Sequence, residues 1–228
     1  MTNFDDQVPS GVLPTDALDL PPVLREMLHE QIFTLLKRNL MMGRFAPGQK
    51  LPLRSLAASL GTSLMPVRDA LQRLESIGCV ISTANRTMMV PSFSIKELQD
   101  IRTLRMLLEG TAAERAAIER TDAELADLRR YCTDIETAAD THNLDLFLEA
   151  NYNFHMAIAD MSRISFVSNL LEPLWMRIGP VVRQSKPDQA HIRKAVKYHL
   201  KACSAIAERD PVAAAAAIRE DIMECNEY

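Results

Sequence analysis

Gly61 to Leu74 reads G-T-S-L-M-P-V-R-D-A-L-Q-R-L, a turn followed by a helix that buries one face and leaves its beginning outside. Ser63 carries an oxygen able to accept from the free N–H groups of the first turn. Pro66 sits where a missing amide proton costs little. The helix is therefore predicted to start near Leu64. Val67, Leu71 and Leu74 recur at helical spacing as the buried stripe, whereas Leu64, Met65, Arg68 and Gln72 project elsewhere. An outward helix N-terminus bearing an arginine suits the major groove of DNA. The same residues also admit a plainer reading: Arg68 and Asp69 as solvated charges, Gln72 and Arg73 as a dimer contact.

The flanks extend the pattern. Upstream, Leu24, Leu28, Ile32, Leu35 and Leu36 form an amphipathic helix, and Gly43 to Gly48 (G-R-F-A-P-G) supplies a turn before a short helix from Leu53 to Leu60. Gly78 is a helix stop. Beyond it, Cys79 to Thr83 and Thr87 to Val90 are β-prone runs separated by Ala84, Asn85 and Arg86, the spacing of a small hairpin. Three helices followed by a hairpin make a winged helix-turn-helix.

Charge is divided along the chain in the same way. The whole carries a net −4, but residues 23–92 hold nine basic and four acidic side chains. Positive charge is thus concentrated where the helix-turn-helix lies, as a DNA partner requires. Residues 1–21, with Asp5, Asp6, Asp16 and Asp19, read as a flexible tail without the basic start and apolar stretch of a signal peptide. No apolar run approaches the roughly 20 residues that span a bilayer. A cytoplasmic protein is expected, with no membrane partner. The four cysteines, Cys79, Cys132, Cys203 and Cys225, lack C-x-x-C spacing and read as small core residues with reduced thiols.

The run L-P-L-R-S-L-A-A-S-L-G-T-S-L-M-P-V-R-D-A-L-Q-R-L-E-S-I-G, Leu51 to Gly78, resembles without gaps the DNA-binding domain of GntR-type bacterial transcriptional regulators. R-T-L-R-M-L-L-E-G-T-A-A-E-R-A-A from Arg102 and N-Y-N-F-H from Asn151 resemble the all-helical ligand-sensing domain of the FadR-like, FCD branch. Together the resemblance covers Pro22 to Cys225. It implies DNA contacts from Arg54, Ser63, Leu64, Met65 and Arg68, and from the wing tip Asn85, Arg86 and Thr87. Many relatives have Arg and Thr where this chain has Leu64 and Met65, and Gly where it has Thr87. Leu64 and Met65 can pack on thymine methyls but donate no hydrogen bonds, so a different operator is expected. One winged helix covers little DNA, so a homodimer on a pseudo-palindromic double-stranded site is expected as well.

After Pro91 the pattern turns helical. Ser94 with Glu97 and Thr121 with Glu124 are capping boxes, and helices are predicted at about 94–119, 122–140, 143–161, 165–184, 188–209 and 211–226. The fold class is therefore mainly α: a winged helix-turn-helix at 22–92 and an antiparallel all-α bundle at 93–228. Helical projection puts four kinds of polar group on apolar faces. Arg105 points inward, where it needs an anion: either Glu109 one turn on, or a ligand carboxylate, as the resemblance implies. Asn151 and His155 lie four apart, His199 sits among Ile192, Val196, Cys203 and Ile206, and Asp221 neighbours Ile218 and Cys225. Singly, each reads as a hydrogen-bonded core residue.

Many FCD domains hold a divalent metal through an Asp and a His four apart and two further His. Asn151, His155, His199 and Asp221 occupy those positions here, with Asn for the Asp and Asp221 for the last His. One carboxylate and two imidazoles remain, compatible with zinc, manganese or nickel. A metal beside Arg105 favours a small organic acid as effector, and the expected function is a regulator, more often a repressor, whose operator affinity that acid controls. Two other readings stand. In one the helical domain only dimerises; in the other the cluster is a catalytic metal site. The latter lacks H-E-x-x-H, a nucleophile elbow and a phosphate-binding Gly loop, so no enzyme is expected.

Overall fold

The computed structural model describes residues 25–225; the tail expected at 1–21 and Leu24 of the first predicted helix lie outside them. In chain order the elements are α1 (Arg25–Met41), β1 (Lys50–Leu51), α2 (Leu53–Ser59), α3 (Leu64–Ser76), β2 (Ile81–Ser82), β3 (Met88–Met89), α4 (Ile95–Glu119), α5 (Asp122–Thr141), α6 (Leu144–Met161), α7 (Val167–Ser185), α8 (Gln189–Ala207) and α9 (Pro211–Cys225).

Helix α3 starts at Leu64 as its sequence predicts, and Pro66, Val67, Ala70, Leu71 and Leu74 are its buried stripe. Ser63 is the N-cap residue in extended conformation, but its side chain makes no capping hydrogen bond, contrary to expectation. The hairpin is present and is joined by a third strand. β3 lies between β1 and β2, antiparallel to both, pairing Met89 with Lys50 and with Ile81. In α1, Ile32, Leu36 and Leu40 are buried, whereas Leu28 and Leu35 are about 40% exposed, so the inward stripe is narrower than the leucine pattern suggests. Each buried leucine or isoleucine of this small core stabilises it by about 1.5–3 kcal/mol.

Helices α4 to α9 form the bundle. Both predicted capping boxes exist: Ser94 and Thr121 accept from the backbone N–H of Glu97 and Glu124, whose carboxylates accept in return. Asn143 and Asp188 cap α6 and α8. The bundle core is rich in alanine, with Ala112, Ala113, Ala116 and Ala117 of α4 and Ala214 and Ala217 of α9 almost fully buried, which lets these helices approach closely.

The winged helix and the bundle share a tight junction between the end of α1 and the middle of α7. Met176 of α7 packs in the core of the winged helix, and Met42, just after α1, packs in that of the bundle. Gly43, at φ +61°, and Gly179 face each other so closely that a Cβ on either would lie 2.3 Å from a backbone carbonyl oxygen of the other side. Arg183 Nε donates to the Met42 carbonyl at 2.6 Å, and Arg177 donates to the Ile77 carbonyl. Lys37 pairs with Glu172 at 2.7 Å across the same seam.

Candidate functional site

Two groups of side chains stand apart from the packing. The first lies on the winged helix. Arg54 in the first turn of α2, Ser63 to Met65 at the start of α3, and Arg68 one turn on are all exposed. Arg68 reaches only the Met65 sulfur, at 3.8 Å, a weak contact that leaves its charge to solvent. Asn85 and Arg86 are exposed at the wing tip, and Thr87 is half-buried. Arg86 adopts a left-handed conformation, φ +56°, in a turn closed by its N–H donating to the Thr83 carbonyl at 2.8 Å. His142, Arg163, Phe166, Lys186 and Arg209 also have positive φ, so the conformation marks a tight turn and not by itself a function. Arg73 is engaged within the chain: it pairs with Glu30 and lies over the Phe33 ring. Asp69 pairs with His29 at 3.0 Å, so it is not a plain solvated charge.

The second group is buried where α4, α6, α8 and α9 meet. Arg105, Glu109, His155, His199 and Asp221 are each 3% exposed or less. Arg105 Nε donates to Glu109 Oε1 at 2.6 Å, so the internal pair that its sequence position allows is formed, and its guanidinium stacks on Trp175 at 4.1 Å from the ring centre. Glu109 Oε2 in turn lies 2.6 Å from His155 Nδ1, and Asp221 Oδ2 lies 3.2 Å from His155 Nε2. His155 thus has a carboxylate oxygen on either side, although neither of its nitrogens meets them in hydrogen-bond geometry. His199 Nδ1 sits 2.7 Å from the Ala195 carbonyl. A carbonyl only accepts, so Nδ1 carries the proton and Nε2 keeps a bare lone pair. That Nε2 and Asp221 Oδ1 are also buried and form no hydrogen bond.

One ligand atom from each of His155, His199 and Asp221 lies within 4.8 Å of the others. Buried nitrogens and oxygens without hydrogen bonds are costly, which makes their convergence chemically informative. Two imidazoles and a carboxylate are a divalent-metal donor set. Each imidazole has its far nitrogen at an oxygen acceptor, Glu109 or Ala195, as metal-bound histidines do. The residues therefore fit such an ion. His155 and Asp221, but not His199, line a cavity of about 30 Å³ together with Asn151, Arg105, Trp175, His191 and Met41. That volume holds an ion or about one water, and nothing the size of an organic acid.

Electrostatics agree with this arrangement. Burial pushes the carboxyls of Glu109 and Asp221 up, but the cations around them win and hold both below the usual range. Burial pushes His155 down, and the flanking Glu109 and Asp221 outweigh it, so His155 is raised; His199 is lowered, chiefly by burial.

Glu109 as the carboxylate behind His155, Trp175 as the platform under Arg105, and Met41 in the cavity wall were not foreseen in these roles. Glu109 was visible only as a local partner of Arg105. Its reach to His155 depends on how α4 crosses α6.

The chain matches the FCD domain family over residues 100–223 and the family described as bacterial regulatory proteins, gntR family, over residues 28–90. It is 30% identical over 173 residues to the HTH-type transcriptional regulator McbR of Escherichia coli K12, covering 75% of this chain and 78% of that protein. It is 24% identical over 200 residues to the HTH-type transcriptional repressor RspR of the same strain, covering 88% of each. The solved structure of E. coli McbR/YncC superposes with a TM-score of 0.81 at 26% identity, over 86% of this chain and 93% of that one.

Proposed function

The chain belongs to the GntR family of bacterial transcriptional regulators, in the branch that carries an FCD domain, and from that premise we propose a metal-dependent repressor controlled by a small carboxylate. The functional division falls between residues 92 and 93. The winged helix binds a pseudo-palindromic operator through Arg54, Ser63, Leu64, Met65, Arg68, Asn85, Arg86 and Thr87. The arginines hold phosphates or guanine edges, and Leu64 and Met65 press on thymine methyls. Repression, rather than activation, is supported by the relative RspR, which is named a repressor.

The observation that carries the sensing half is the convergence of buried ligand atoms from His155, His199 and Asp221, several of which form no hydrogen bond. These residues, with Asn151 as a neutral fourth, would hold one divalent ion, zinc, manganese or nickel. The ion would supply a Lewis-acidic point for a carboxylate oxygen. With His155 neutral, a divalent ion together with Arg105, Glu109 and Asp221 would carry one unit of positive charge overall. An anion completes that balance, and Arg105 is the side chain placed to pair with it.

A cavity of about 30 Å³ must widen to admit such an acid, and Met41 and Gly179, on the two sides of the inter-domain seam, both line it. Widening therefore acts on the contact that orients the winged helix, the coupling a regulator needs.

A homodimer is supported by an apolar face formed by α4 and α7. Leu104, Leu107, Phe166 and Leu170 are all about half exposed or more. A second copy is the occupant that brings two winged helices to one symmetric site. No helix among the described residues is long and apolar enough to cross a membrane, and we place the protein in the cytoplasm with its DNA.

The test is metal analysis of untagged protein with operator binding measured across small carboxylates. The expected result is one near-stoichiometric divalent ion, lost in His155→Ala, and an acid that weakens operator binding only when the ion is present. Metal-free protein that still responds to an acid would overturn the metal half. A tight ligand without any effect on DNA would overturn the coupling.

A further inference from the structure

Among the described residues, the buried side-chain nitrogens and oxygens that form no hydrogen bond belong to His155, His199, Asp221 and Trp175. The first three residues carry lone pairs that a divalent ion would use. The indole of Trp175 is of another kind, because its Nε1–H only donates and offers a metal nothing. Trp175 is 4% exposed and lines the small cavity with Arg105 and Asn151. We propose that its indole N–H selects the effector, donating to a hydroxyl oxygen that the acid carries beside its carboxylate. This rests on the carboxylate reading above and adds to it the group that tells one acid from another.

Packing alone does not call for an indole here. Phenylalanine would fill most of the same space without burying a polar hydrogen, and a buried tryptophan ordinarily finds an acceptor. The buried Ser162 hydroxyl, for comparison, donates to the Ala159 carbonyl at 2.6 Å. Nor is the ring free to turn toward an acceptor elsewhere. The Arg105 guanidinium lies over it at 4.1 Å from the ring centre, Tyr152 meets it edge-on at 5.7 Å, and His155 lies tilted against it at 5.1 Å.

The stacking also sets the spacing of the acceptors. Guanidinium and indole N–H are near neighbours, so two oxygens that they hold together sit on adjacent carbons of one small molecule, as in an α-hydroxy acid. A hydroxyl suits the place because its own proton can go to the Asn151 carboxamide oxygen in the same cavity wall. Trp175 stands one helical turn from Gly179 on α7 and next to Met176, which packs in the winged-helix core. An acid held by the indole therefore acts on the stretch of α7 that is keyed to α1.

The experiment is titration of full-length, zinc-supplemented protein with acids that differ by one hydroxyl, lactate against propionate and malate against succinate. Binding is followed by calorimetry and by the proton–nitrogen correlation spectrum, in which the single tryptophan of the chain gives one indole signal. The hydroxy acid of a pair is expected to bind about tenfold tighter than its partner, the worth of one hydrogen bond to a buried donor, and to move the indole proton downfield. Trp175→Phe keeps a ring under Arg105 and loses the N–H. It is expected to weaken the hydroxy acid about tenfold and the plain acid by less than about twofold, which erases the preference. Equal binding within both pairs, or an indole proton indifferent to the bound hydroxy acid, overturns the proposal without recourse to the variant; so does a Trp175→Phe protein that weakens both acids alike. Protein that binds none of the four acids overturns the carboxylate reading itself, and this proposal with it.

Discussion

The winged helix and the bundle place their chemistry in opposite environments. Among the described residues, every buried charged or ionisable polar side chain other than cysteine, namely Arg105, Glu109, His155, His199 and Asp221, belongs to the bundle, and all five form one cluster. In the winged helix the core is apolar, and the groups assigned to DNA, except half-buried Thr87, stand in solvent on the outside of it. A solvated arginine costs the fold almost nothing and can be exchanged to retune an operator. A buried network is held at the expense of desolvation and is stable only as a complete set.

Arg105→Met should give the largest effect. It leaves Glu109 buried without its main cation, and a loss of about 3–5 kcal/mol is expected from urea unfolding, since removing one member of a buried ion pair strands the other. A loss under about 1 kcal/mol would mean that the cluster is hydrated and the contrast between the two regions weaker than the burial implies. Next comes Gly179→Ala. A helical glycine replaced by alanine gains up to ~1 kcal/mol in an open setting, but here the new methyl meets the Leu40 and Met41 carbonyls. A net loss of about 1–3 kcal/mol, with a weakened response of operator binding to effector, is expected from the same titrations.

Arg68→Ala tests the other half. DNA affinity should fall by about 1–3 kcal/mol in a gel-shift or anisotropy titration if Arg68 reads a base, while unfolding midpoints stay within about 0.5 kcal/mol of the parent. Equal losses in folding and binding would erase the distinction between a solvated reading surface and a buried sensing core. The smallest effects compare two caps. Ser94→Ala removes a complete capping box and should cost about 1 kcal/mol, whereas Ser63→Ala, whose hydroxyl caps nothing in the free protein, should cost only a few tenths. If Ser63→Ala instead weakens DNA binding, its hydroxyl is reserved for a phosphate.

What could be read from the chain follows the range of the interactions involved. Helix α3, the capping boxes of α4 and α5, and the order of the remaining helices depend on residues within one or two turns of each other, and these were legible. Strand β1 was not, because two residues, Lys50 and Leu51, pair with Met89 and Met88 far along the chain. His155, His199 and Asp221 could be marked singly as polar groups on apolar faces, and a family resemblance joined them; their spacing alone did not. Glu109 behind His155 and Met41 in the cavity wall both arise where separate helices cross. Periodicity within one helix carries no information about such crossings.

The facing glycines at 43 and 179 bear on how this protein can be rebuilt. Winged helices are attractive as interchangeable heads for engineered sensors. Here, however, the last turn of the head's first helix is keyed into the helical bundle with no room for a single methyl group. A chimaera cut at the linker after the wing would join two surfaces never fitted to each other. A graft that carries α1 through Gly43 together with α7 moves the lock and its key as one piece.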